Sequence, residues 1–456
     1  MNELAAHQTY ALMCMESNDS LGIFYDPGCG KTMVALSWTV DAIKRGKIQD
    51  ALVACPAALV GSWQTAIEEL PTFKGFTEDD VALLKERMYI TSYQKLYRST
   101  KKTIHHRDGS ISHKRIITLR EEVDKEWGAM FIDESHHIGA HDSVQTDICM
   151  KMAHVAKYRY ILSGTPVLGG GGAEDFSKLY GQFEFLEPGI FKTWTNFKTQ
   201  YVEKFDRWGG PLEYKVEKCR ALLQSKAIAV KLEDCFDMPD FTETTIKVEL
   251  AEKKAYKDIR KGALDEYDID FINAGGKFVK VMQVCSGHIK RDENDYIKLK
   301  TNKDDALKEI IEGTSSKVII FCRFRASIDR VYDICSKYGK TSVFDGRSKG
   351  ETWRDLQYGD SRFLVCQYQS GGEGLNLYAS DTMVFFEPTL SSRDLYQAKS
   401  RIYRKGQTRN CRFIYLVTDK TIEVNSMETV RKGVDVTVQM MASWSRGEVF
   451  SQSESD

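Results

Sequence analysis

Between Asp26 and Thr32 the sequence runs DPGCGKT, a set of residue types that suits a phosphate group. Gly28 and Gly30 would let backbone N–H groups close around the β- and γ-phosphates of a nucleotide, and a helix opening after Gly30 would add favourable polarity. Lys31 would sit on those phosphates and the Thr32 hydroxyl on Mg2+. Cys29, between the glycines, is expected in the same loop as an inert thiol. The usual G-x-x-x-x-G-K-[ST] spacing is broken, because Tyr25 stands where its first glycine belongs. An acidic partner follows in AMFIDESHH, where an apolar run delivers Asp133 and Glu134 at its C-terminal end, the edge where open α/β sheets place ligands. Asp133 would hold Mg2+, directly or through water, and Glu134 would activate the attacking water as general base. His136 and His137 have no Cys or His partners at metal-ligand spacing, so His136 is assigned to coupling and His137 to no role. In the second half Gln397, Arg401 and Arg404 stand at i, i+4 and i+7, one face if the segment is helical. Two arginines there could neutralise charge on a transferring γ-phosphoryl group; a plain basic face on a surface helix is the alternative.

These residues need strands and helices to hold them. In the first half, short apolar runs fall at 21–25, 51–55, 88–93, 129–133 and 159–165; in the second, at 317–324, 341–346, 362–367, 382–387 and 412–418. Runs of this length, rich in Val, Ile and Phe and separated by helix-compatible stretches, predict buried parallel strands in βαβ units. Five per half predict two α/β domains of similar design rather than one large one. The segment from about 170 to 310 has a helical texture and predicts helical additions, with a hinge near Met238–Pro239–Asp240. The Ser-rich end beyond Trp444 predicts a disordered tail.

Composition narrows the class. The 456 residues are 42% hydrophobic and 28% charged, the balance of an ordinary globular chain. No apolar run nears the roughly 18 residues of a membrane-spanning helix, and MNELAAHQTY lacks the layout of a secretory signal. Eleven cysteines without a C-x-x-C pair argue against a zinc module or disulfide framework and predict a reducing, cytosolic setting. Net charge is −1, yet 94–120 carries eight Lys or Arg against Asp108, and 392–412 carries seven against Asp394. Such local patches are compatible with a phosphate backbone, and also with solvated faces.

Taken in order, DPGCGKT, LVACPAALVGSWQTAIEEL, YITSYQKL, DESHH, LSGTPV, VIIFCRF, SGGEGLNLYASDTMVFFEP and QAKSRIYRKGQ resemble the Swi/Snf-type branch of superfamily-two helicases, from about Gln8 to Glu423. The resemblance implies an α/β chain of two RecA-like domains with parallel sheets flanked by helices, plus short helical insertions. Lobe 1 would span 1–238, lobe 2 239–436 and a tail 437–456. It implies a DNA-stimulated ATPase using ATP and Mg2+ that tracks along double-stranded or branched DNA as a monomer, usually without separating the strands. Gln8 would read adenine, Ser163 and Thr165 would couple hydrolysis to movement, and Gly374, Asn376 and Gln397 would lie at the nucleotide cleft. Arg401 and Arg404 would be the fingers. DNA would meet loops after Pro56, Thr91 and Gln369, which brings in Ser370 and Gly371. Tyr25-Asp26-Pro27 departs from the family's acidic, acidic, methionine approach to the loop, and EPTLSSRDLYQ replaces a Trp-Asn-Pro stretch. With no room for accessory modules, a compact bacterial or phage version, working in bacterial or infected-host cytoplasm, is expected. A strand-separating DNA or RNA helicase is the nearer alternative, and a non-catalytic DNA-binding scaffold the more distant one.

One insertion stands apart. In YRSTKKTIHHRDGSISHKRIITLR, Asp108-Gly109 is a hairpin turn signal between alternating residues. It predicts a basic hairpin or loop whose Lys101, Lys102, Lys114 and Arg115 grip DNA phosphates or wedge a junction; a solvated surface hairpin is the alternative.

Overall fold

The computed structural model describes residues 2–105, 111–167, 175–206, 209–262, 267, 274–292, 295–348, 350–368, 375–433 and 436, with backbone alone at 101–105, 111–115 and 274. The described chain divides into two compact units, one running to Phe236 and the other from Asp237.

In the first unit, β1 is Ser20–Tyr25, β2 Ala51–Cys55 and β3 Met88–Ser92. β4, Tyr97–His105, and β5, Ile111–Leu119, pair antiparallel as a separate ribbon. β6 is Trp127–Asp133 and β7 Ala156–Leu162. β8, Val202–Phe205, and β9, Pro211–Tyr214, form a small antiparallel pair, and β10 is Ala227–Val230. The main sheet is parallel, in the order β10-β1-β7-β6-β2-β3. Its central runs are buried on both faces, β2 without exception, which is why they read as continuous apolar stretches. The helix Lys31–Lys44 seats Trp38 edge-on to Phe131, Tyr158 and Tyr160, with ring centroids 6.1, 5.2 and 4.9 Å away. Burying side chains of this kind is worth about 1.5–3 kcal/mol each, enough to fix the helix whose first turn carries the phosphate loop.

The second unit repeats the plan. β11 is Phe241–Val248; β12, His288–Lys290, and β13, Tyr296–Lys298, form a short antiparallel pair. β14 is Val318–Cys322, β15 Thr341–Phe344, β16 Phe363–Gln367, β17 Thr382–Phe385 and β18 Cys411–Thr418. They form a parallel sheet in the order β11-β18-β17-β14-β16-β15. A fully buried ion pair pins the flanking helices: Lys303 Nζ donates to Glu423 Oε1 at 2.7 Å and to the Phe386 carbonyl at 2.9 Å.

The stretch from 170 to 310 is not purely helical. It adds β10 to one sheet and β11 to the other, besides two small antiparallel pairs. AIAV is only four residues long, and FTETTIKV is an edge strand largely open to solvent, so neither shows the long apolar run that marks the other strands. The expected tail lies outside the described residues. None of the described helices is long and apolar enough to cross a membrane.

Candidate active site

β1 ends at Tyr25 and the helix Lys31–Lys44 begins after five intervening residues, so the chain must reverse tightly through PGCG. Gly28 and Gly30 do this at φ 95° and 79°. A Cβ on Gly30 would also lie 2.1 Å from Gln8 Nε2, so a side chain there would push Gln8 off the loop, while the positive φ itself favours glycine. The helix has no side-chain cap and no acidic residue in its first turn. Among the described residues the amides of Gly30, Lys31, Thr32 and Met33 find no backbone acceptor. A row of open N–H donors at a helix N-terminus, beside an ammonium group, fits a multiply charged phosphate.

Around the loop, Lys31 Nζ donates to the Tyr25 carbonyl at 2.7 Å, and the Tyr25 hydroxyl donates to the His7 carbonyl at 2.7 Å. Tyr25 thus ends the strand and anchors the loop through its own backbone and ring. His7 Nε2 lies 2.9 Å from the Cys29 carbonyl. Gln8, 6% exposed, packs on the loop: its Nε2 is 3.5 Å from the Gly30 carbonyl, and its Oε1 accepts the Ala5 amide at 2.8 Å. Burial pushes the Cys29 thiol up to about 12, which keeps it protonated and unreactive at neutral pH. The loop is also tied to the end of its own unit. Asp26 N donates to the Val230 carbonyl at 3.0 Å, Asp26 Oδ2 accepts the Leu232 amide at 3.0 Å, and the Phe236 ring stands edge-on to His7 at 5.6 Å.

β6 delivers Asp133 and Glu134 at its C-terminal end. Asp133 Oδ2 accepts Trp63 Nε1 at 2.8 Å, its Oδ1 accepts the Glu134 amide at 3.0 Å, and its carbonyl accepts the Tyr93 hydroxyl at 2.6 Å. Glu134 sits at φ 51°, a left-handed conformation that costs a non-glycine residue about 1–3 kcal/mol and is held by its surroundings. Glu134 Oε2 lies 3.4 Å from His136 Nδ1, which lies 3.5 Å from Ser163 Oγ; that oxygen accepts the Thr165 amide at 3.1 Å. Ser163 N donates to the Ile23 carbonyl in β1 at 3.2 Å, and a Cβ on Gly164 would lie 2.8 Å from Pro27. Phosphate loop, SGT turn and acid pair are therefore one connected cluster in the first unit. The Thr32 hydroxyl and the Asp133 carboxylate are oxygen donors of the kind that Mg2+ takes and could hold it.

In the second unit the expected arginine helix is shorter than its pattern. The helix Ser392–Lys399 stops before Arg401, with Ser400 as its C-cap, so Arg401 and Arg404 lie in the turns that follow. They still converge: Arg401 Nη1 and Arg404 Nη1 donate to the Leu375 carbonyl at 3.3 and 2.8 Å. Gln397 is buried, and its own carbonyl accepts Arg401 Nε at 2.9 Å. A helical spacing rule places such residues together only while the helix lasts; here a shared carbonyl does so. Ser370, Gly371 and Gly374 lie outside the described residues. Lys101, Lys102, Lys114 and Arg115 occupy the ribbon, Lys101 opposite Arg115 and Lys102 opposite Lys114.

Sequence reasoning missed Trp63, Tyr93 and His7. Each reads as a core aromatic or a neighbour of a motif, and the only signal was a ring N–H or hydroxyl that burial obliges to find an acceptor.

A parallel sheet that ends in a phosphate loop and an acid pair is the plan of a nucleotide hydrolase. The chain belongs to the SNF2-related family: residues 7–296 match the SNF2-related domain, and residues 302–406 match the helicase conserved C-terminal domain. Both units are RecA-like. Among curated relatives, the chain is 23% identical to the ATP-dependent helicase brm of Drosophila melanogaster, over 92% of this chain and 28% of that protein. It is 23% identical to the DNA repair and recombination protein RDH54 of Saccharomyces cerevisiae, over 87% of this chain and 47% of that protein. The chain thus spans roughly a quarter to half the length of these relatives. A solved Sulfolobus solfataricus SWI2/SNF2 ATPase core in complex with dsDNA is 22% identical, with a TM-score of 0.40, covering 97% of this chain and 94% of that one.

Proposed function

We propose that the protein is an ATP-driven motor that translocates along double-stranded DNA and acts on forks, branched intermediates or bound proteins. The observation that carries this reading is the unbroken chain of contacts from the phosphate loop through Pro27, Gly164 and Ser163 to His136 and Glu134. A site built only to hold a nucleotide does not require its general base to be wired to a neighbouring turn.

In this reading the open amides of the loop and Lys31 bind the β- and γ-phosphates, while Gln8 reads adenine. Thr32 and Asp133 hold Mg2+, which when bound neutralises charge between the phosphates. Trp63 fixes the Asp133 carboxylate, and Glu134 takes the proton of the attacking water. Arg401 and Arg404 neutralise charge on the transferring phosphoryl group. His136, Ser163 and Thr165 relay the state of the acid pair to the rest of the unit.

The test is ATP hydrolysis against linear duplex, forks, four-way junctions and RNA. Stimulation by duplex DNA, with Glu134→Gln lowering turnover by about 10²–10⁴, is expected. Stimulation by RNA alone would replace the DNA motor with an RNA helicase, and equal turnover in wild type and Glu134→Gln would remove the proposed site.

A further inference from the structure

We propose that the β4–β5 ribbon is an arm for the phosphate backbone of duplex DNA, and that its root at Tyr93 carries DNA occupancy to the Asp133–Glu134 turn. This rests on the motor reading above and names the element through which DNA would act on hydrolysis.

The ribbon is a two-stranded sheet of its own, nine residues a side, and takes no part in the six-stranded sheet. At about 3.4 Å per residue it extends about 30 Å, close to one turn of duplex. Its register sets Lys101 opposite Arg115 and, at the next step, Lys102 opposite Lys114. Successive residues of a strand lie on opposite faces, so the Lys101–Arg115 and Lys102–Lys114 positions fall on different faces of the ribbon. Like charges directly opposite destabilise a ribbon, and an isolated two-stranded ribbon is marginal to begin with. The only acidic residue from 94 to 120 is Asp108. A polyanion would relieve this repulsion, and the repeating charge of a phosphodiester backbone suits basic residues at paired register positions.

The base of the ribbon supports the same reading. Tyr97, Ile117 and Leu119 pack against the first unit's core, and Arg120 Nε donates to the Tyr97 carbonyl at 3.4 Å. Lys95 and Arg98, both exposed, have no acidic partner among the described residues. Just before them the turn Tyr93–Lys95 is locked in place: Tyr93 is 1% exposed, its hydroxyl donates to the Asp133 carbonyl at 2.6 Å, and its ring lies 5.7 Å from His137. The Asp133 carbonyl belongs to the peptide that leads into Glu134, the residue held at φ 51°. A load on the ribbon therefore reaches a backbone that is already constrained, at the residue that would activate water.

Two variants of the full chain test this. In the first, Lys101→Gln, Lys102→Gln, Lys114→Gln and Arg115→Gln are combined, and duplex affinity is followed by fluorescence anisotropy from low to moderate salt. The slope of log affinity against log salt should become shallower by about 0.9 for each phosphate no longer neutralised, or about 3–4 when all four cations are removed. A slope equal to that of wild type overturns the arm. In the second, Tyr93→Phe keeps the ring and removes the donor. Affinity and salt slope should hold while the ratio of DNA-stimulated to basal hydrolysis falls several-fold, and an unchanged ratio overturns the coupling. If wild type itself shows no stimulation by DNA, the motor reading fails instead, and the two failures are told apart.

Discussion

At the scale of single residues, the cluster around the acid pair contains a group whose cost is visible. The Thr165 hydroxyl is buried and makes no hydrogen bond among the described residues, whereas its backbone amide is held by Ser163. An unsatisfied buried hydroxyl costs about 1–3 kcal/mol, a cost that the coupling role proposed for Thr165 would offset by a partner gained during a nucleotide cycle. Thr165→Val should therefore stabilise the protein by about 1 kcal/mol in thermal or denaturant melts while lowering the distance travelled per ATP. A variant that is both less stable and fully coupled would show that the hydroxyl already has its partner. Trp63 carries the opposite lesson. Its indole N–H is satisfied by Asp133, so a side chain that a helical pattern assigns to the core also aims a carboxylate.

At the scale of elements, the helix Glu78–Arg87 shows how local chemistry fixes an end. Thr77 and Asp80 form a capping box, with the Thr77 amide donating to Asp80 Oδ2 at 3.0 Å, while Lys44 stands 2.5 Å from the other oxygen. Burial works to raise the Asp80 carboxyl, but Lys44 and Thr77 outweigh it and hold it below the usual range. Because the folded value lies under the unfolded one, this stabilisation is full above pH about 4 and is lost as pH falls through the folded value. Asp80→Asn should cost about 1–2 kcal/mol at pH 7, since Lys44 is half exposed and screened, and the difference from wild type should close in acid. A gap that persists at pH 2 in urea melts would assign it to packing instead. Legibility followed the same physics. Strands buried on both faces, such as ALVAC and VIIFC, announce themselves, and so does a phosphate loop between a strand and a helix. The edge strands β10 and β11 did not, because one is too short and the other too polar for a buried run. The arginine pair was found from a helical spacing that the backbone does not keep past Lys399; the carbonyl that joins them, that of Leu375, has no signature in sequence.

At the scale of the whole molecule, each half carries its own sheet and its own core. All eleven cysteines are free, and Cys55, Cys322 and Cys366 are wholly buried, so the fold owes nothing to disulfides and should be indifferent to reductant. A fragment ending at Phe236 should fold on its own, melt cooperatively and gain thermal stability from ATP. A fragment ending at Lys226 should not, because it lacks β10, which pairs with β1 from Gly22 to Tyr25. Equal melting of the two fragments would show that the edge strand is dispensable. The ties from Asp26 to Val230 and Leu232 also bear on how such a protein can be recombined. Residues two hundred positions apart are inherited as one working part, so a crossover that exchanges the second half with a relative must fall after Phe236. Position 232 must also keep an N–H to offer, which bars proline from a site that would otherwise look like ordinary linker.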